Sequence, residues 1–110
     1  MSPFVSFAAG IVVFTAVAQA ADSEPTYKEV HQIISARCVP CHSDEPDHIG
    51  VYEAPKGIKF DTNLGIRVFT PGILKTAVQD QSMPPANITE MTDAERATLA
   101  AWIKAGAKVP

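Results

Sequence analysis

The chain has 110 residues, a formal net charge of -3 and two cysteines. This length accommodates one small domain and excludes a second catalytic domain. The acidic balance and the absence of any run of Lys and Arg exclude a nucleic-acid-binding protein.

Residues 1–20 form an apolar leader that contains no charged residue. Its apolar run, residues 4–17, has the length of a signal-peptide core and is shorter than the roughly 20 residues that a spanning helix needs. Small residues at Ala18 and Ala20 predict cleavage after Ala20 and export, to the periplasm in a Gram-negative source. An uncleaved membrane anchor is the alternative, because no Lys or Arg precedes the run. Residues 21–110 would then form the mature domain.

The domain is predicted to begin with a helix over residues 26–37, since Thr26 and Glu29 have the spacing of a capping box. The helix leads directly into Cys38, and its expected apolar face consists of Tyr27, Val30, Ile33 and Ile34. Residues 43–59 are rich in Pro, Gly and acidic residues and predict a long loop with at most a short helical turn. A loop of this length needs contacts that hold it in a compact domain.

Two short helices are predicted next. The first spans residues 61–69, is capped by Asp61 or Thr62, and buries Leu64, Val68 and Phe69. The second starts at Thr70 with Pro71 at its first helical position. Its expected buried residues are Ile73, Leu74, Ala77 and Val78.

Prolines keep residues 80–85 out of a helix. A final helix begins at a second capping box, Thr92 with Glu95, and ends at Gly106. On this helix Leu99, Trp102 and Ile103 form an apolar stripe that is expected to pack against Tyr27 and Val30. No alternating strand pattern occurs, so the sequence predicts an all-α domain of about four short helices with long loops.

One pentapeptide, Cys38-Val39-Pro40-Cys41-His42, contains both cysteines and one of the three histidines. The C-x-x-C-H spacing is typical of covalent haem c attachment. Two thiols three residues apart can form thioethers with the two vinyl groups of one haem, and His42 can supply the proximal imidazole to the iron. The haem would also provide apolar surface around which a small domain can fold.

Three other interpretations of the two cysteines are less favourable. A zinc site needs further ligands at matching spacing, and neither His31 nor His48 provides a second pair. A redox dithiol is expected after a strand and at the start of a helix, whereas this motif follows a helix. A disulfide across two residues would stabilise little.

Met83 is the expected distal iron ligand, because it lies far beyond His42 in a proline-stiffened loop and a thioether paired with histidine suits an electron carrier. Met91 is the main rival and is expected to act as a hydrophobic staple for the last helix. The carbonyl of Pro46 or Pro55 is expected to accept a hydrogen bond from the second His42 nitrogen. Expected haem contacts are Val39, Phe60, Leu64, Phe69, Ile73, Leu74 and Ile88.

The body resembles class I cytochromes c, and it is most similar to the C-terminal cytochrome c domain of the membrane-bound urate hydroxylases. The resemblance lies in residues 38–46 (CVPCHSDEP), 54–62 (APKGIKFDT) and 82–105 (SMPPANITEMTDAERATLAAWIKA). It implies the class I cytochrome c fold, one covalent haem on Cys38 and Cys41, and axial ligation by His42 and Met83. Those hydroxylases carry a multi-span membrane domain before the cytochrome, whereas a leader stands there in this chain, so urate chemistry is not carried over.

We therefore expect an exported, monomeric, monohaem electron carrier without substrate chemistry of its own. Its partners would be a donor dehydrogenase or hydroxylase, such as a urate- or purine-oxidising enzyme, and a respiratory acceptor such as a terminal oxidase. A membrane association is expected only if the leader is retained. The alternatives are a haem subunit of a larger membrane oxidase, and a haem enzyme or gas sensor with a labile sixth ligand. The acidic residues of the 43–59 loop would meet a basic partner or form a solvated surface.

Overall fold

The structure of the chain, a computed structural model, describes residues 3–4, 6, 8–13 and 23–110. The predicted cleavage after Ala20 lies outside these residues. Within the predicted leader, residues 8–13 are exposed and form no helix. In the described part of the chain, no helix is both long enough and apolar enough to cross a membrane.

The described residues form helices and contain no strand, which confirms the prediction of an all-α domain. A π-helical segment, Leu74–Gln79, directly continues the α-helix that ends at Ile73. Two short 3-10 turns occur in the loops at Pro55–Gly57 and Pro85–Asn87. The three α-helices are α1 (Tyr27–Arg37), α2 (Asn63–Ile73) and α3 (Asp93–Lys104).

The two predicted capping boxes are present. The Glu29 backbone N–H donates to the Thr26 hydroxyl over 3.2 Å, and the Glu29 carboxylate accepts from the Thr26 backbone N–H over 2.8 Å. Thr92 and Glu95 repeat this exchange at α3, over 3.1 and 2.8 Å. After α3 the chain turns at Gly106, whose φ of 112° is readily adopted only by glycine.

The prediction of two separate helices after Asp61 is wrong. Thr62 caps α2 as expected, since its hydroxyl accepts from the Gly65 N–H over 3.0 Å, but the helix continues through Thr70 and Pro71 into the π-helical segment. Proline removes one helical hydrogen bond. The burial of Ile73 and Ala77, each 3% exposed, offsets this loss and keeps the chain helical.

The predicted inner face of α2 is also partly wrong. Leu64 and Val68 are exposed, whereas Ile66 between them is fully buried and Phe69 is half-buried. The sequence of α2 has apolar residues on every side, so periodicity alone does not select the buried face. Farther along, Ile73 and Ala77 are buried and the predicted Leu74 and Val78 are half-buried.

One hydrophobic core joins the three helices and determines where the loops meet. Tyr27, Cys38 and Ile103 pack at its edge. The Trp102 indole N–H donates to the Lys108 carbonyl over 3.1 Å, which ties the C-terminal residues to α3. The buried members of this core are Val30, Ile33, Ile34, Phe60, Ile66, Ile73, Ala77, Met91, Leu99 and Trp102.

Candidate functional site

The C-x-x-C-H motif continues from the end of α1 as a helical turn. The Cys38 N–H donates to the Ile34 carbonyl over 2.9 Å, and the Cys38 carbonyl accepts from the N–H of Cys41 over 3.2 Å and of His42 over 2.9 Å. This turn holds the two cysteines and the histidine close together. Both cysteines are free thiols.

A cavity of about 330 Å³ lies against this turn. The volume is within the range of small-molecule and cofactor sites. Eight of the eleven residues predicted to bind or contact the haem contribute to its wall: Cys38, Cys41, His42, Phe60, Phe69, Ile73, Met83 and Ile88.

Three of the expected haem contacts, Val39, Leu64 and Leu74, do not line the cavity. Val39 packs against the hydrophobic core instead. Leu64 precedes Ile73 by two and a half helical turns and so lies on the opposite side of α2, where it is 64% exposed. Leu74 follows Ile73 directly and therefore points about 100° away from it.

The His42 ring is oriented by the backbone of the following loop. Its Nδ1 lies 2.8 Å from the Ile58 carbonyl oxygen, so the expected acceptor at Pro46 or Pro55 is wrong. A carbonyl only accepts, and Nδ1 must therefore carry the proton. This leaves Nε2 with its lone pair, which is the state that a metal ligand requires. The Phe60 ring contacts the imidazole edge to face at a centroid distance of 5.5 Å.

Hydrogen bonds hold the 43–59 loop against the motif, as a loop of this length requires. The Phe60 N–H donates to the His42 carbonyl over 2.8 Å, which closes the loop at its base. The Pro40 carbonyl accepts from the N–H groups of Asp47 and His48, each over 3.1 Å. His48 does not line the cavity, and His31 on α1 is exposed beside Tyr27.

Met83 is half-buried and its backbone is fixed on both sides. Its N–H donates to the Thr76 carbonyl over 2.9 Å, and its carbonyl accepts from the Arg96 guanidinium over 2.8 Å. Sequence reasoning missed Arg96, because one arginine in a terminal helix has the pattern of a surface charge. Arg96 precedes Leu99 by three residues and Trp102 by six, so it shares their apolar stripe. This spacing was the available signal that Arg96 is buried.

Met91 is not a hydrophobic staple. A staple would contact the fourth residue of α3, and that residue is Arg96. Met91 is instead 4% exposed, belongs to the core and contributes to the cavity wall. The cavity wall therefore contains two methionines: Met83 lies in the proline-rich part of the loop, and Met91 directly precedes the Thr92 cap of α3.

Burial controls the ionisation of the motif's thiols. It raises the pKa of the Cys38 thiol to about 12, with a smaller contribution from Cys41. The pKa of Cys41 is also raised, mainly by burial and further by the Asp47 carboxylate. Neither thiol is activated as a nucleophile, because activation requires a lowered pKa.

An ion pair joins α1 to α3 beside the cavity. The Arg37 Nε lies 3.0 Å from a Glu95 carboxylate oxygen, and the same guanidinium donates to the Thr89 carbonyl. Burial alone would raise the pKa of Glu95, but the Thr92 N–H and Arg37 together lower it. Arg37 and Lys56 are the cationic residues in the cavity wall.

Among the described residues, no group of three or more His, Cys, Asp and Glu side chains has the arrangement of a metal site. An iron bound by a porphyrin takes its equatorial ligands from the ring, so one His and one Met complete its coordination. Comparison with family models, curated proteins and solved structures found no match for this chain.

Proposed function

We propose that the chain is an exported monohaem cytochrome c with the class I cytochrome c fold, located in the periplasm. It carries single electrons between a donor dehydrogenase or hydroxylase and a respiratory acceptor such as a terminal oxidase. A urate- or purine-oxidising donor follows from the sequence resemblance. The domain performs no substrate chemistry of its own.

The observation that carries the proposal is the joint position of Cys38, Cys41, His42 and Met83 in the wall of one apolar cavity. The two cysteines and His42 are adjacent in sequence, but Met83 reaches the cavity only through the fold. Its presence there supports its role as the distal ligand opposite His42.

The residues of the cavity fit a covalently bound haem. Each thiol would add across one vinyl double bond, with its sulfur bonded to one carbon and its hydrogen to the other. The raised pKa values of the two half-buried thiols do not favour a redox dithiol. When bound, the haem supplies a one-electron iron couple whose potential is raised by His and Met ligation.

His42 and the cationic residues have distinct tasks in this proposal. The Ile58 carbonyl fixes the His42 tautomer and increases the basicity of the ligating nitrogen. Arg37 and Lys56 would be the partners of the haem propionates, which need positive or hydrogen-bonding groups at an apolar site.

Two matched variants test the distal ligand: Met83→Leu and Met91→Leu. Both conserve side-chain volume in the cavity wall. After coexpression with haem attachment machinery, the wild-type ferric protein should show a low-spin spectrum with the weak methionine-to-iron charge-transfer band. We expect Met83→Leu to lose this band and Met91→Leu to keep it. A band that survives in Met83→Leu and disappears in Met91→Leu would overturn the assignment in favour of Met91. Absence of the band from the wild-type protein would favour a haem enzyme or sensor.

A further inference from the structure

The side chain of Arg96 on α3 is a buried cation, and its surroundings support a further inference. Arg96 is 8% exposed, and it is one of the two buried polar residues in the described part of the chain. Burial of a charge is costly unless its hydrogen bonds are satisfied. Among the described residues it forms no ion pair with a carboxylate, so its partners are neutral acceptors.

Those acceptors lie within residues 77–87, on both sides of Met83 and at Met83 itself. One guanidinium nitrogen donates to the Ala77 carbonyl over 2.6 Å and to the Met83 carbonyl over 2.8 Å, and the other lies 3.4 Å from the Asn87 amide oxygen. Asn87 also exchanges hydrogen bonds with the backbone of Met91, over 2.9 and 3.0 Å. The single side chain of Arg96 thus connects the π-helical segment, Met83 and the turn that follows it.

The segment around Met83 needs an external support. Four of its non-glycine residues have φ between 50° and 61°, the left-handed region that favours glycine: Gln81, Ala86, Asn87 and Glu90. Pro84 disfavours a helical backbone conformation at Met83, the residue that precedes it. Local hydrogen bonds of Asp80 and Asn87 hold the two ends of this path, and the tertiary hydrogen bonds of Arg96 hold Met83 between them.

We propose that Arg96 is a positioning residue that fixes the Met83 backbone in the cavity wall, so that the thioether stays at the distal position of the iron. The inference rests on the proposed function. Arg96 acts through the carbonyls of Met83 and Ala77 and has no role as a ligand. The planar guanidinium reaches several acceptors at once, which a lysine ammonium at the same position cannot reproduce.

The test is the affinity of the ferric haem protein for imidazole, which competes with Met83 for the iron. Apparent affinity increases with the fraction of molecules in which the methionine has left. The variants are Arg96→Lys, which keeps the charge, and Arg96→Met, which replaces the buried charge by an apolar chain of similar length. Each should bind imidazole about tenfold more tightly or better, and amide hydrogen exchange in residues 80–91 should accelerate.

Ile34→Val is the matched control, because Ile34 is fully buried in the core and does not line the cavity. Its imidazole affinity should stay within about threefold of wild type. An unchanged affinity in both Arg96 variants, or an equal change in Ile34→Val, would overturn the inference while leaving the proposed function intact. If wild type lacks the methionine-to-iron band, the proposed function fails. In that case amide hydrogen exchange alone tests the role of Arg96. Equal exchange rates in residues 80–91 of wild type and Arg96→Lys would refute that role.

Discussion

Gly65 connects the start of α2 with the proximal side of the site. A Cβ at this position would overlap the Lys59 backbone carbonyl. Lys59 directly follows Ile58, whose carbonyl orients the His42 ring. The absence of a side chain at Gly65 therefore allows the loop to approach α2 closely enough to hold the imidazole.

We predict that Gly65→Ala destabilises the protein by about 1–3 kcal/mol in the free energy of unfolding, because the backbone of the loop must move. This loss exceeds the roughly 0.5–1 kcal/mol that alanine gains over glycine inside a helix. Urea unfolding measures the free energy of unfolding of both variants. Val68→Ala is the control on the exposed side of α2, and its free energy of unfolding is expected within about 0.5 kcal/mol of wild type. Equal stabilities of the two variants would refute the close approach.

The roles of some single residues can be inferred from the sequence, and the roles of others cannot. The roles proposed for Cys38, Cys41 and His42 can be inferred from sequence because that chemistry depends on local spacing, and the role proposed for Met83 rests on the prolines that restrict its loop. The acceptor for His42 is a backbone carbonyl, and every residue has one, so sequence does not distinguish Ile58 from Pro46 or Pro55. The role of Arg96 depends on three distant acceptors that only the fold brings together.

The contact between α1 and α3 includes the ion pair of Arg37 with Glu95, whose side chains are 26% and 22% exposed. Glu95 also completes the capping box of α3. The folded-state pKa of Glu95 is lowered, so the unfolded chain binds its proton more readily. Its contribution to stability is therefore present above the ordinary glutamate value and is lost as the pH falls through the folded-state pKa.

We expect Glu95→Gln to cost about 1 kcal/mol of unfolding free energy at neutral pH, since the amide keeps the cap but loses the charge. The difference from wild type should begin to shrink below the ordinary value near 4.5 and disappear in stronger acid. Denaturant unfolding over a pH series measures this. Glu29→Gln is the control, because Glu29 caps α1 but forms no ion pair within the described residues. A constant difference at all pH values would contradict the account.

The helices show which parts of an element are fixed locally. The starts of α1 and α3 and the end of α3 follow from Thr26, Thr92 and Gly106, whose effects act within one helical turn. The continuation of α2 through Pro71 does not follow from such signals. It depends on the burial of Ile73 and Ala77 against the rest of the domain, which outweighs the local preference for a break.

The charge of the whole molecule is negative, and part of it lies in the loop beside the cavity. Val51 and Pro55 of this loop contribute to the cavity wall, and the nearby Glu45 and Glu53 are exposed. Asp44 is paired with Lys59 over 2.9 Å and adds less to the field. An electron carrier with this distribution is expected to favour cationic partners.

Small redox reagents test this field without knowledge of the natural partner. Reduction by the cation hexaammineruthenium should slow with added salt, and oxidation by the anion hexacyanoferrate should accelerate, because salt screens both interactions. Glu45→Gln combined with Glu53→Gln should weaken both trends. Glu24→Gln with Glu29→Gln removes the same charge elsewhere and should change them less. Identical salt profiles for the two double variants would show that the loop has no special role.

The central claim is that Cys38 and Cys41 carry one covalent haem, and the mass of the purified protein tests it most directly. The protein is coexpressed with haem attachment machinery, and its intact mass and the mass of the peptide containing residues 38–42 are measured. We predict the addition of one haem that denaturation does not remove, with an alkaline pyridine spectrum typical of two thioethers. Cys38→Ala should shift that spectrum to the single-thioether form. A peptide with two unmodified thiols, or with a disulfide or zinc in place of haem, would contradict the account.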